Sequence, residues 1–503
     1  MVLNAAARIG ETMPSKDQPS GLTARKTVED IIAGGEGDGH QLSKSLGLFS
    51  IVAMGIGAVI GAGIFVLTGT AAAQYAGPGI MLSFVAGGIA CAFVGLCYAE
   101  MAALIPVAGS SCTYTYATLG ELFAWIIGWD LILEYAMGAA TVAVGWSGYV
   151  VSLLKDVGLV IPPRFTAAPG TAVKLAGDVD GTAIMNLPAV LIVALLTLLL
   201  VRGTKESARL NNIMVAVKLT VVIAFVVLGY GYIKQANWTP FIPDNDGSFG
   251  HFGWSGVLRG AGVVFFAFIG FDAVSTAAQE AKSPQRDMPI GILGSLAICT
   301  VLYVLVAAVL TGVVPYKELN VPDPIAKGVD VIGIAWFSAL IKLGALTGLT
   351  TVILVLLYGQ SRIFYTMAND GLLPRLFAHV HPTYQTPYRS QLLIGSVVAV
   401  VAALVPIGIL GEMVSIGTLA AFILVCGSVI YLRRSDKKRP RPFRVPYVPM
   451  VPLLGILSCL FLMAGLPLDT WLRLVVWMAI GFVIYVFYGR KHSVLRRRDG
   501  TAA

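Results

Sequence analysis

The chain has 503 residues, of which 57% are hydrophobic and only 12% charged, with a net charge of +8 and a mean hydropathy of +0.81. A soluble protein carries about 25% charged residues, so this chain has too little charge to wet a globule of its size. The composition excludes a soluble enzyme, a nucleic-acid binder and a disordered scaffold, and leaves a helical polytopic membrane protein, because the apolar stretches run unbroken for about 20 residues instead of alternating over about 10.

Residues 1–45 form a polar tail with a flexible stretch at Gly34–Gly39. No apolar core near Met1 resembles a cleavable signal, so the first span is expected to serve as the insertion signal. Twelve spans follow, at 46–73, 79–105, 121–152, 186–202, 206–233, 256–280, 289–314, 333–366, 389–408, 412–432, 449–468 and 471–489. They make one integrated membrane domain over 46–489, followed by a basic tail, 490–503. An even number of spans leaves both tails on one side, and 25 of the 35 lysines and arginines fall there. The positive-inside rule makes that side cytoplasmic. The basic excess reads as a topology signal, with affinity for anionic lipid as a second reading; nucleic acid is not needed to explain it.

Span 1 contains Gly55, Gly57, Gly61 and Gly63, which weaken a helix at a depth where lipid offers no replacement hydrogen bonds. Gly57 and Gly61 form a GxxxG pair, a close-packing signal. The alternative is local unwinding over Ile60, Gly61, Ala62, Gly63 and Ile64, which would expose backbone N–H and C=O groups to a ligand. In span 3, Asp130 and Glu134 share a helix face. The outward loop, about 153–185, is too short for a domain. Lys218 lies near the middle of span 5, about 18–21 Å from either span end, farther than a lysine stem can snorkel. A functional lysine facing the bundle is expected, with a proton that burial makes labile.

Span 6 carries Ala267, Phe268, Gly270, Phe271 and Asp272, a glycine and a carboxylate at mid-span. Interrupted segments at matching positions of two five-helix halves point to an inverted-repeat transporter. In that design half-helix N-termini meet a carboxylate and unwound carbonyls take an ammonium group, so the head of an amino acid fits both. Glu134 and Asp272 are candidates for reading a cationic side chain or relaying a proton, with Asp130 and Glu280 behind them; the alternative for each is a hydrogen bond that pins helices. Phe268 is a candidate lid, and Lys342 near an outer span end reads as snorkelling or paired. His379 and His381 read as turn residues. The six cysteines carry no metal or disulfide signature, and neither a metal nor a cofactor is expected.

The runs Gly55–Gly69 (GIGAVIGAGIFVLTG), Pro106–Tyr116 (PVAGSSCTYTY), Gly120–Tyr149, Phe268–Ile290, Asp370–Pro374 (DGLLP) and Arg441–Pro449 (RPFRVPYVP) resemble the amino acid–polyamine–organocation superfamily, and within it the bacterial branch of the cationic amino acid transporter family. The resemblance covers most of residues 42–490. It implies an all-α, leucine-transporter-like fold, five plus five inverted helices with two more and helices 1 and 6 interrupted, that moves amino acids by alternating access. It also implies that Lys218 approaches carbonyls near Gly57 or Ala58 and a span-8 hydroxyl such as Thr350 or Thr351, and that Leu349 faces the substrate side chain. Asn369 departs from the basic residue that relatives more often place before DGLLP.

The expectation is therefore a proton-coupled amino acid importer of the cytoplasmic (inner) membrane, with an exchanger or an uncoupled facilitator of the same fold as the alternative. A channel would show pore-lining polar repeats, and a membrane enzyme a His or carboxylate cluster near an interface; neither pattern is visible. The sequence leaves open cationic against small neutral substrates, and whether a small accessory subunit joins the chain.

Overall fold

The computed structural model describes residues 46–106, 110–174, 180–202, 208–272, 274, 275, 278, 281–384 and 386–498; the expected N-terminal tail and Glu280 lie outside them. The described chain is helical apart from a small hairpin in the 153–185 loop, where Ala172–Lys174 pairs antiparallel with Asp180–Thr182. Among the described residues, seven stretches are long and apolar enough to cross a membrane: Leu48–Leu104, Glu121–Asp156, Ile213–Tyr230, Pro284–Val313, Trp336–Asn369, Ile407–Ser435 and Leu468–Arg496. Shorter apolar helices occupy Leu187–Arg202, Gly253–Phe268, Tyr388–Leu404 and Met450–Ala464. The first stretch holds predicted spans 1 and 2, which part where Gly77 adopts φ +57° before Pro78.

Apolar side chains face outward as well as inward, as they must where the solvent is lipid. Leu191, Leu195 and Leu198 of span 4 and Leu457 and Phe461 of span 11 stand well exposed on the rim. Inside, glycines set among the large apolar side chains admit close helix approach. Span 3 packs along spans 8 and 10, span 2 along span 7, and span 1 against spans 5 and 7. An aromatic cluster fills the centre: Tyr98, Phe265, Phe271 and Phe422 meet edge-on or tilted, with Phe84, Phe268 and Tyr303 beside them.

Buried charges are paired at both ends of the bundle. On the predicted outer side the Lys342 ammonium, fully buried, lies 2.7 Å from Asp156 Oδ2 and 3.3 Å from Asp330 Oδ1. On the inner side Glu100 accepts from Arg433 Nε and Nη2 at 2.9 and 2.8 Å and from the Val445 amide at 2.7 Å. Glu121, at the start of span 3, accepts from Tyr485 Oη (2.9 Å), Arg496 Nε (2.8 Å) and the Ser493 hydroxyl, while Val494 N–H donates to Asp370 O. A charge taken from water needs such a partner, and these pairs fix the segments that enclose the centre.

Candidate functional site

Span 1 breaks where its glycines are densest. The helix Leu48–Val59 ends with Ile60 swung to an extended ψ of 99°, and winding resumes with the wide turns of Gly63–Leu67. Phe65 N–H closes on Gly61 O at 3.2 Å, so the N–H groups of Gly61, Ala62, Gly63 and Ile64 open a new helix. The carbonyls of Gly57, Ala58, Val59 and Ile60 close the old one. A partly negative helix end thus faces a partly positive one across a few residues.

Span 6 breaks at the same depth. Gly253–Val264 tightens into Phe265–Phe268, Ile269 is extended (ψ 137°), and Gly270 takes φ +110°. That dihedral suits only glycine, and a Cβ there would stand 2.8 Å from Ala58 O. A Cβ on Gly63 would overlap the backbone of Ala267. The two breaks are therefore in direct contact, and small residues are what lets them meet. Asp272 Oδ1 accepts from Gly270 N–H at 3.2 Å, holding the second break open. Phe268 is wholly buried, with its ring against Phe84, Tyr303 and Gly87, while Phe271 meets Tyr98 edge-on and Phe422 at a tilt.

Lys218 is 2% exposed, and its ammonium donates to Gly57 O at 2.9 Å and Ile60 O at 3.3 Å. Its stem runs over Gly348 of span 8, where a Cβ would come within 3.0 Å of the lysine Cε. Ala58 O turns instead toward Gly270. Thr351 Oγ1 donates back to Gly348 O (2.7 Å), and Thr350 Oγ1 donates to Leu346 O while accepting from the Trp146 indole (2.9 Å). Leu349, fully buried, lies next to Gly348 in sequence.

Tyr303 of span 7 is the residue the sequence reading missed. Its hydroxyl lies 2.8 Å from Val59 O and 2.7 Å from Ala267 O, so one proton is shared between the terminal carbonyls of both broken helices. A tyrosine in an apolar span looks like packing. The available signal was a hydroxyl at a depth where every O–H needs an acceptor.

Toward the inner side lie the acids. Asp130, Glu134 and Asp272 are at most 3% exposed. Glu134 faces Asp272, Asp130 and Thr418, and the position of a Cβ on Gly417 is 2.8 Å from Asp130 Oδ1. Asp130 Oδ1, Glu134 Oε1, Tyr98 Oη, Tyr114 Oη and Ser111 Oγ are buried oxygens without a well-formed hydrogen bond among the described residues. Unspent hydrogen-bonding capacity at this depth is rare in a purely structural core. Chemically, the arrangement offers carbonyls for an ammonium group, N–H groups for a carboxylate, a buried lysine, and a group of buried acids.

The profile of the family described as "Amino acid permease" matches residues 46–488. The chain is 48% identical over 475 residues to the branched-chain amino acid permease BcaP of Bacillus subtilis (strain 168), covering 94% of this chain and 98% of that one. It is 46% identical over 478 residues to the methylthioribose transporter of the same organism, covering 95% and 100%. To the chloroplastic cationic amino acid transporter 9 of Arabidopsis thaliana it is 35% identical over 524 residues, covering 90% and 89%. The chain belongs to the amino acid permease family and is a multi-pass membrane protein, a permease rather than an enzyme.

Proposed function

We propose that this member of the amino acid permease family imports a neutral aliphatic amino acid across the cytoplasmic membrane by alternating access, in symport with protons. Twelve spans over 46–489 would form two inverted five-helix halves plus two more helices, with both tails cytoplasmic. The substrate head would lie at the paired breaks, its carboxylate on the N–H groups of Gly61–Ile64 and its ammonium on carbonyls of Ile60, Ala267 or Phe268. Gly270 and Phe271 shape the second break, and Leu349 bounds the side-chain pocket.

The observation that carries this reading is the direct contact of the two breaks, with Lys218 bonded to Gly57 and Ile60 of the first. A lysine held by two carbonyls binds them strongly only while protonated, since the neutral amine loses the charge-assisted part of both bonds. Deprotonation frees the first break to move against span 5, which couples proton loss to substrate movement. Glu134 and Asp272 are the proposed onward acceptors. A neutral side chain is favoured by the apolar surroundings of the breaks (Ile64, Phe268, Val352) and by the branched-chain specificity named for two relatives at 48% and 34% identity.

The test is uptake of labelled leucine, alanine and arginine into proteoliposomes, with and without an inward proton gradient. Gradient-driven leucine uptake that arginine fails to compete supports the proposal. Uptake that ignores the gradient but requires trans amino acid would make the protein an exchanger. Transport of methylthioribose without leucine would overturn the substrate class.

A further inference from the structure

The loop joining spans 10 and 11 holds seven basic residues between 433 and 444, and the fold uses only some of them. Arg433 and Arg441 close on the buried carboxylate of Glu100, at 2.8 and 3.2 Å. Arg439 pairs with Asp436 at 2.6 Å. Arg441 also donates to Leu432 O and Asp436 O, so the loop is tied back onto the end of span 10. Arg434, Lys437, Lys438 and Arg444 remain exposed, and none has an acidic partner among the described residues. The four charges therefore stand on a braced scaffold.

The chain then passes through Pro446 to Tyr447, which is 81% exposed and held at φ +48°, a conformation costly for a residue with a Cβ. An aromatic ring displayed at such a cost sits well at a bilayer interface, where its apolar body and polar tip each find a medium. Span 11 begins at Met450, and its exposed stripe runs Met450, Leu453, Leu457, Leu460 and Phe461. Cationic charge, an exposed aromatic and an apolar stripe follow one another along the chain in the order of headgroup, interface and acyl tail.

We propose that this loop and the adjoining face of span 11 form a binding site for an anionic phospholipid, with the phosphate held by Arg434, Lys437, Lys438 and Arg444 and the acyl chains laid along the Met450–Phe461 stripe. Because Glu100 and Asp436 hold the loop in shape, little ordering opposes binding. The site lies apart from the helix breaks and does not depend on which amino acid is carried.

The test measures association of spin-labelled phosphatidylglycerol and spin-labelled phosphatidylcholine with the full-length protein in phosphatidylcholine bilayers, at low and high salt. The wild type should prefer phosphatidylglycerol by at least about fivefold at low salt, the contribution of a single basic residue near a surface. R434Q/K437Q/K438Q/R444Q should bring the preference to within about twofold of unity, and high salt should weaken it in the wild type. R375Q/R389Q/R490Q/K491Q removes as many exposed inner charges elsewhere and should keep the preference. An equal loss in this control, an unchanged preference in the loop variant, or displacement of the lipid by millimolar inorganic phosphate would each overturn the proposal.

Discussion

Two polar clusters flank the centre of the bundle and are built on opposite rules. The outer one closes on itself: Lys342 lies between Asp156 and Asp330, and Ser338 donates to Asp330 at 2.6 Å. Its two carboxylate side chains are 45% and 48% exposed, so solvent absorbs the leftover negative charge. In the inner cluster Asp130 and Glu134 are buried, have no ion pair among the described residues, and leave oxygens unbonded. A closed cluster holds a shape. An open one can exchange a proton without first breaking a pair. The contrast separates residues that hold the protein together from those proposed to run it.

The largest expected effect comes from stripping the outer cation of the two carboxylates that bond it. D156N/D330N leaves a buried ammonium with only the more distant charge of Asp323 and should cost up to about 3–5 kcal/mol, read as a fall in thermal stability in detergent. At Lys218 the contrast is tested from the other side. Lys218→Ala should abolish gradient stimulation of uptake, a coupling of about 5–150-fold, while substrate binding persists; unchanged gradient dependence would sink the proton role. Glu134→Gln and Asp272→Asn should each lower gradient-driven uptake by roughly tenfold and spare exchange. K342M should cost only about 1 kcal/mol, because the acids it abandons are already half in water, and should leave gradient stimulation intact. If K342M removed that stimulation, the two clusters would not differ in kind.

A smaller effect belongs to Asp323, in the outer loop before the helix Pro324–Ile332. Burial, with a lesser push from Asp330, raises its carboxyl to about 6, against the opposing pull of Ser152 and Lys342. The folded state therefore holds this proton more tightly than the unfolded chain does. Its contribution to stability is full below about pH 4 and declines as pH rises through about 6. Asp323→Asn should flatten that part of the thermal stability profile and leave the rest unchanged.

The breaks were legible because glycine density and a mid-span carboxylate are local signals. The burial of Lys218 was legible too, from its distance to either end of span 5. Its choice of carbonyls was less so: Gly57 and Ile60 receive it, whereas Ala58 faces Gly270, because a register within one turn depends on how two helices rotate. Thr350 and Thr351 donate their protons to carbonyls four and three residues back, as hydroxyls within a helix readily do. Tyr303 was hidden because nothing in a run of apolar residues says which hydroxyl meets two helix ends. Pairs such as Glu100 with Arg433 were beyond sequence reading, since 333 residues separate them.

The clasp at Glu121 sets a timetable for biogenesis. Its guanidinium partner, Arg496, is 375 residues downstream. At the usual pace of synthesis, about 5–20 residues per second, roughly 20–75 seconds pass between the two. During that interval the inner end of span 3 must keep its carboxylate in water or hold it protonated, so this corner of the bundle can close only after nearly all the other helices have been made. A nonsense codon just before Ser493 would spare every span and still leave the corner unlocked, giving quality-control proteases a foothold on an otherwise finished protein.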